Sequence, residues 1–203
     1  MASAHVSAAL EAIQHHGVLL LQDALRPSLA TMIAGAPVRG TWWSHPAASA
    51  IFETASALDE AGDVTTAKLI DHKVTFVHRR LWPALISVGL SRGPWQLQGL
   101  SSAAAELLAQ VDATSTARAS GAAAKVLQER LLVASEQVHT ESGKHVLELC
   151  TWTQFAANHG LEAPWPNGAD AVSTLEQALA ALPGALASPR AKLPWFGRAG
   201  HSG

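Results

Sequence analysis

A single cysteine, Cys150, occurs in 203 residues, which excludes an internal disulfide and any zinc site built on cysteines. It closes an apolar stretch and reads as a small buried hydrophobe rather than a reactive thiol. Charge is also scarce: Asp, Glu, Lys and Arg make up 15% of the chain, against roughly 25% in an average soluble domain. The formal net charge of −2 gives no basic excess of the kind that dominates non-specific DNA affinity, so any phosphate-binding surface must be local. The apolar run Val18–Leu21 is far too short to cross a bilayer. Met1–Glu11 lacks the basic stretch and long apolar core of a secretory signal, so a cytoplasmic protein is expected. Catalytic signatures are missing as well: there is no P-loop, no GxGxxG after a strand, no GxSxG elbow and no HExxH. Glu53, Asp59 and Glu141 are weak as acid–base candidates, since each sits where a surface residue is equally expected.

What is present is alanine and other apolar residues, 48% hydrophobic in all, in a length that suits one large domain or two small ones. Helical spacing predicts a helix over Ser3–His16 (Val6, Leu10, Ile13), ended by Gly17. Leu19–Leu21 is a buried strand or the entry to the next helix. A helix over Pro27–Ile33 closes at Gly35, and 36–40 is a loop. Pro46 opens a helix through Ala61 (Ile51, Ala55, Leu58). Thr65–Ile70 and Val74–His78 flank the polar turn Asp71-His72-Lys73 and read as a hairpin. Leu81–Val88 returns to helix, with Trp82 expected in the core. The segment 89–99, rich in glycine and proline, is the best internal boundary.

Beyond it a similar order recurs. Helices are predicted from Ser101 (Leu107, Leu108, Val111) and over Ala122–Leu132, then a hairpin, Val133–His139 and His145–Leu149, joined through Thr140-Glu-Ser-Gly-Lys144. A closing helix covers Thr151–His159, a linker 164–168, and a last helix Ala171–Leu182. Composition predicts poor order past Pro194. The fold class expected is α+β and helix-rich, divided as 1–92, 93–160 and 161–203.

Two helical stretches followed by a hairpin, over 28–88 and again over 101–158, resemble tandem winged-helix units packed together with an extra C-terminal helix. That resemblance implies a DNA-holding module with double-stranded DNA as partner. It is also similar to the architecture of one class of bacterial DNA glycosylases for alkylated or crosslinked bases. The glutamine-centred catalytic motif of that class is not visible here, so no activity transfers to any residue.

Three constellations are candidates for function. The first hairpin carries Lys68, His72, Lys73, His78, Arg79 and Arg80, diluted by Asp63 and Asp71. As a wing it meets phosphates through these cations; the alternative is an ordinary solvated hairpin. The second is Gly40-Thr-Trp-Trp-Ser-His-Pro46, where Trp43 and His45 supply a stacking surface and a rigidly held imidazole, or close the core and cap the helix. Ser49 and Glu53 beyond it would face bases. The third is the second turn, where Lys144 and His145 touch a backbone, or His139, His145 and Glu141 hold a divalent metal; that spacing matches no zinc signature. No metal and no cofactor are expected. A DNA-binding regulator or repair accessory comes first, with a lesion-processing enzyme on an extruded base and a structural or partner-binding module as alternatives.

Overall fold

The structure is a computed structural model that describes residues 2–139, 145–184 and 193–196. Helix α1 (Ala2–His16) buries Ala9 and Ile13, and β1 (Val18–Leu20) is buried throughout. Helix α2 (Leu29–Ala34) starts at Ser28, whose hydroxyl accepts the Thr31 N–H, and stops at Gly35, where φ is +74°. A 3-10 turn, Trp42–Ser44, leads into α3 (Ala48–Asp59), which buries Ile51, Thr54 and Leu58. The hairpin follows as β2 (Val64–Lys68), a 3-10 turn over Ile70–His72, and β3 (Val74–His78). The three strands are antiparallel in the order β1-β3-β2.

β3 is central in the sheet, and the two cores cover its two faces. Phe76 joins Ala9, Ile13, Leu19, Leu29 and Leu58 on the side of α1 to α3, and Val77 faces the opposite core. That core is organised by α4 (Trp82–Leu90), buried at Trp82, Ala84, Leu85, Ile86, Val88 and Gly89, with only the stripe Pro83, Ser87, Leu90 turned outward. Trp82 is fully buried, as its sequence context predicts, and its indole N–H donates to the Val77 carbonyl at 3.0 Å.

After the short α5 (Pro94–Leu97) comes the second unit: α6 (Ser102–Thr114), β4 (Thr116–Arg118), α7 (Gly121–Glu129), β5 (Ala134–His139) and β6 (His145–Cys150), in the order β4-β6-β5. Helices α8 (Trp152–Asn158) and α9 (Gly168–Ala180) follow, and the fold is helix-rich α+β. The internal likeness therefore starts earlier than residue 28. Each unit reads helix, short strand, helical segment, hairpin, with its first strand paired to its last. The first unit has two helices between its first and second strands, and the second has one.

The units share a core in which Leu81, Trp82 and Leu85 meet Leu131, Ala134, Cys150, Trp152 and Phe155, sealed by Ala171, Leu175 and Leu179 of α9. The boundary segment is clamped by a buried polar exchange. Gln96 donates to the Arg130 carbonyl at 3.1 Å, while the Arg130 guanidinium donates to the carbonyls of Gln96 and Gln98 at 2.9 and 2.8 Å. In the described segment 193–196 Leu193 is buried and the Trp195 indole donates to Glu176 Oε1 at 2.7 Å, while most of the stretch past Pro194 lies outside the described residues. Among the described residues, no helix is long and apolar enough to cross a membrane.

Candidate functional site

A concavity of about 1080 Å³ lies at the tip of the first hairpin. One wall is the chain leaving β1 (Leu21 to Ala24), a second is the loop 36–40 with Trp42, and the third is the hairpin end, Lys68 with His72 to Val74. Two of the three constellations foreseen in the sequence thus meet: Lys68, His72 and Lys73 from one, Gly40 and Trp42 from the other.

The rim is held by a buried ionic cluster. Asp23, 3% exposed, accepts the main-chain N–H groups of Leu25 (2.8 Å) and Arg26 (3.0 Å), the Arg26 guanidinium (2.9 Å) and the Lys73 ammonium (2.6 Å). Burial alone would push this carboxyl up. The Lys73 hydrogen bond, the Leu25 N–H and the charges of Lys73 and Arg26 outweigh burial and hold it below the usual carboxylate range. Arg26 also reaches Asp71 at 3.1 Å across the hairpin turn. There Asp71 (φ +53°) and His72 (φ +58°) are consecutive non-glycine residues in the left-handed region, a conformation that costs of order 1–2 kcal/mol per residue. Buried Leu69 and Ile70 and the Arg26–Asp71 bond hold the turn in this form.

The cleft lining carries Arg39, Lys68 and Lys73 against the single carboxylate Asp23. Among the described residues neither Arg39 nor Lys68 makes an ion pair. Arg39 is exposed; burial lowers the Lys68 pKa, with Glu129 pulling up and Lys125 down. A half-buried ammonium in no direct ion pair is stabilised further by an anion that enters. The floor, Leu21, Val38 and Val74, is apolar.

The base of the same hairpin is arranged differently. Arg80 donates to the carbonyls of Gln14 and His15, the latter at 3.1 Å, closing the C-terminal end of α1 where a cation is favoured. Arg79 donates to the His159 carbonyl at 2.8 Å and lies over the Trp82 ring at 5.3 Å. His78 Nδ1 accepts the Arg80 N–H at 3.2 Å; burial, then the Arg80 charge, lowers its pKa against a smaller pull from Asp63. These three residues, foreseen as phosphate contacts, are engaged with main chain and aromatic rings, on strand and helix ends away from the turn. Lys73 is at the cleft but paired with Asp23.

At the second constellation, Trp42 is buried and Trp43 is 63% exposed, stacked on it with ring centroids 3.8 Å apart and planes at 25°. His45 accepts the Ala47 N–H through Nδ1 at 3.1 Å just ahead of α3, whose N-terminus has no side-chain cap. Ser49 donates to Glu53 at 3.0 Å on the exposed face of α3. In the second hairpin His139 and His145 are register partners, but their side chains, with Glu141 and Lys144, lie outside the described residues. Elsewhere among the described residues no group of three His, Cys, Asp or Glu is placed to hold a metal.

Sequence reasoning missed a second polar cluster, at the seam between units. Glu136 on β5 joins His159 Nε2 at 2.7 Å and Asn158 at 3.0 Å, beside a cavity of about 140 Å³ that Asp59, Thr65 and Ser135 also line. These groups are far apart in the chain, so no local pattern links them. Burial, with the Glu136 and Glu148 charges, pushes the nearby Cys150 thiol up to about 12, which removes it as a nucleophile at neutral pH. Asp59 is pushed up to about 6, by burial first and the Glu60 charge second. Its contribution is fully present below the unfolded value of about 3.9 and is lost as pH rises through about 6. Asp59→Asn is therefore expected to raise the urea midpoint at pH 7 relative to wild type and to remove part of the decline between pH 4 and 6. Parallel midpoint-against-pH curves for the two proteins would refute this.

Compared with known proteins, the chain matches no protein-family model, no curated protein and no solved structure.

Proposed function

We propose that this chain is a nucleic-acid-binding protein of tandem winged-helix type, with DNA as its partner and its phosphate contacts concentrated at the cleft beside the first hairpin turn. What carries the proposal is the convergence of Arg39 and Lys68, both without ion pairs among the described residues, on one cleft whose rim is fixed by the Asp23–Arg26–Asp71 cluster. The order helix, strand, helix, helix, hairpin, with the first strand beside the last, is the winged-helix order and supports the same reading. Because the net charge is −2, affinity must come from this local excess.

Gel shift with a short DNA duplex at two salt concentrations tests it. Wild type is expected to bind at low salt and weaken as salt rises. Arg39→Ala with Lys68→Ala is expected to flatten the dependence of log affinity on log salt by roughly two units, about one per lost phosphate contact, with no fall in melting temperature. Arg79→Ala with Arg80→Ala is expected to do the reverse, lowering the melting temperature and leaving the salt slope unchanged. Absence of binding at low salt to the duplex and to either of its separated strands, or binding indifferent to salt, removes the reading.

A partner-binding module is the second reading, favoured by α3. In a winged helix this position enters the major groove, yet Ala48–Asp59 holds no lysine or arginine and exposes Phe52 and Glu53. No binding to DNA under any salt condition would favour it.

A further inference from the structure

We infer that the nucleic acid this cleft accepts is unpaired: a single-stranded segment of DNA whose phosphates lie on Arg39 and Lys68 while a base stacks at Trp43. The inference rests on the proposed phosphate site and adds the class of strand.

The aromatic group beside the cleft is built and fixed. Gln22, itself a lining residue, spans the loop: its amide donates to the Gly40 carbonyl at 2.7 Å and its carbonyl oxygen accepts the Trp42 N–H at 3.1 Å. The 3-10 turn is closed by Ser44 N–H to the Thr41 carbonyl at 3.1 Å and His45 N–H to the Trp42 carbonyl at 3.0 Å. Trp42 belongs to both features, since it lines the cleft and supports Trp43. Phe52, 46% exposed, stands with its ring 5.8 Å from that of Trp43. The result is a ledge of exposed aromatic surface that continues the cationic cleft.

A ledge of this kind selects among nucleic acids. In a duplex each base face is covered by its neighbours, and proteins reach the edges through the grooves, with hydrogen-bond donors and acceptors. An indole offers only one N–H and a broad π-surface, which finds a partner where bases are unstacked. Cations beside exposed aromatics are the arrangement that tracks a single strand, the cations taking phosphates and the rings taking bases irrespective of sequence. The absence of lysine and arginine from α3 fits this preference, because major-groove entry is not then required. A concavity of about 1080 Å³ with an apolar floor takes a short stretch of strand.

Fluorescence anisotropy with a labelled single-stranded dodecamer and a blunt duplex of the same sequence, on the full chain, tests this. The single strand is expected to bind roughly tenfold or more tightly than the duplex, with quenching of tryptophan emission. Trp43→Leu is expected to remove most of that preference with an unchanged melting temperature, while Arg39→Ala with Lys68→Ala weakens both probes. Duplex binding equal to or tighter than single-strand binding, or a preference that survives Trp43→Leu, overturns the inference and leaves the phosphate site standing. Binding of neither probe removes both. Failure to bind DNA together with self-association in sedimentation velocity that Trp43→Leu abolishes would assign the ledge to a second copy of the chain and overturn the inference.

Discussion

Asp23→Ala is expected to destabilise the protein by about 3–5 kcal/mol, because it removes the buried carboxylate on which two main-chain N–H groups, a guanidinium and an ammonium converge. Arg26 is 6% exposed and would lose a carboxylate partner at 2.9 Å, while the Leu25 and Arg26 N–H groups would lose their acceptor. At roughly 2–4 °C per kcal/mol for a chain of this size, the melting temperature should fall by on the order of 10 °C. Replacing both charges, Asp23→Leu with Arg26→Met, should recover part of the loss, since a missing pair is less costly than half of one. The Asp23 carboxyl is held below its ordinary range, so its stabilisation is present above the unfolded value of about 3.9 and is lost as pH falls through the lower folded value. The acid limb of the wild-type stability curve, below about pH 4, should therefore flatten in Asp23→Ala. Function should move the opposite way. Lys73 loses its counter-ion, so under the proposed function the variant that remains folded at low temperature should bind DNA more tightly and with a steeper salt dependence. A loss of under about 1 kcal/mol would show that Arg26 is satisfied without Asp23.

That cluster also marks where sequence reading stops. Helices are legible where a stop residue stands, as at Gly35, although the expected helix over Pro27–Ile33 is Leu29–Ala34 in the structure, with Ser28 as its cap. The first hairpin was legible from β-branched residues flanking a polar turn. The strands β1 and β4 are three residues each, too short for alternation to register: β1 was read as either strand or helix entry, and β4 passed unnoticed. With them went the fact that each hairpin is the far part of a three-stranded sheet. The candidate site was half legible. The cations of the turn and the paired tryptophans drew notice by composition, but nothing local indicated that Gln22 and Asp23 stand between them. Asp23 is 50 residues from Lys73 in the chain, and only the pairing of β1 with β3 brings them together. The same separation hid the use of Arg79 and Arg80. An arginine pair after a strand looks solvated until the partners, carbonyls 80 and 65–66 residues away, are in place.

Gly89→Ala is the substitution expected to damage the shared core most. A methyl group there would lie 2.0 Å from Nε1, 2.2 Å from Cδ1 and 2.5 Å from Cε2 of Trp152. In a helix interior alanine ordinarily gains about 1 kcal/mol over glycine, and α4 is otherwise regular. The gain is overwhelmed, because the neighbour is a rigid indole and not the end of a flexible chain. Trp152 is 3% exposed, packs edge-on to Phe155 at 5.6 Å, and donates its N–H to the Leu131 carbonyl at 2.7 Å. To admit the methyl, the ring must leave this site, so the loss approaches that of deleting it, about 3–5 kcal/mol. Leu131 and Trp152 belong to the second unit and its closing helix, whereas Gly89 ends the helix that follows the first, so the contact fixes how the two halves meet. A double-mutant cycle separates this clash from a general dislike of change at the site. In Trp152→Ala, where the obstructing ring is gone, Gly89→Ala should be close to neutral by urea denaturation, giving a coupling energy of about 3 kcal/mol. Additive losses would mean that α4 requires glycine for a reason other than Trp152.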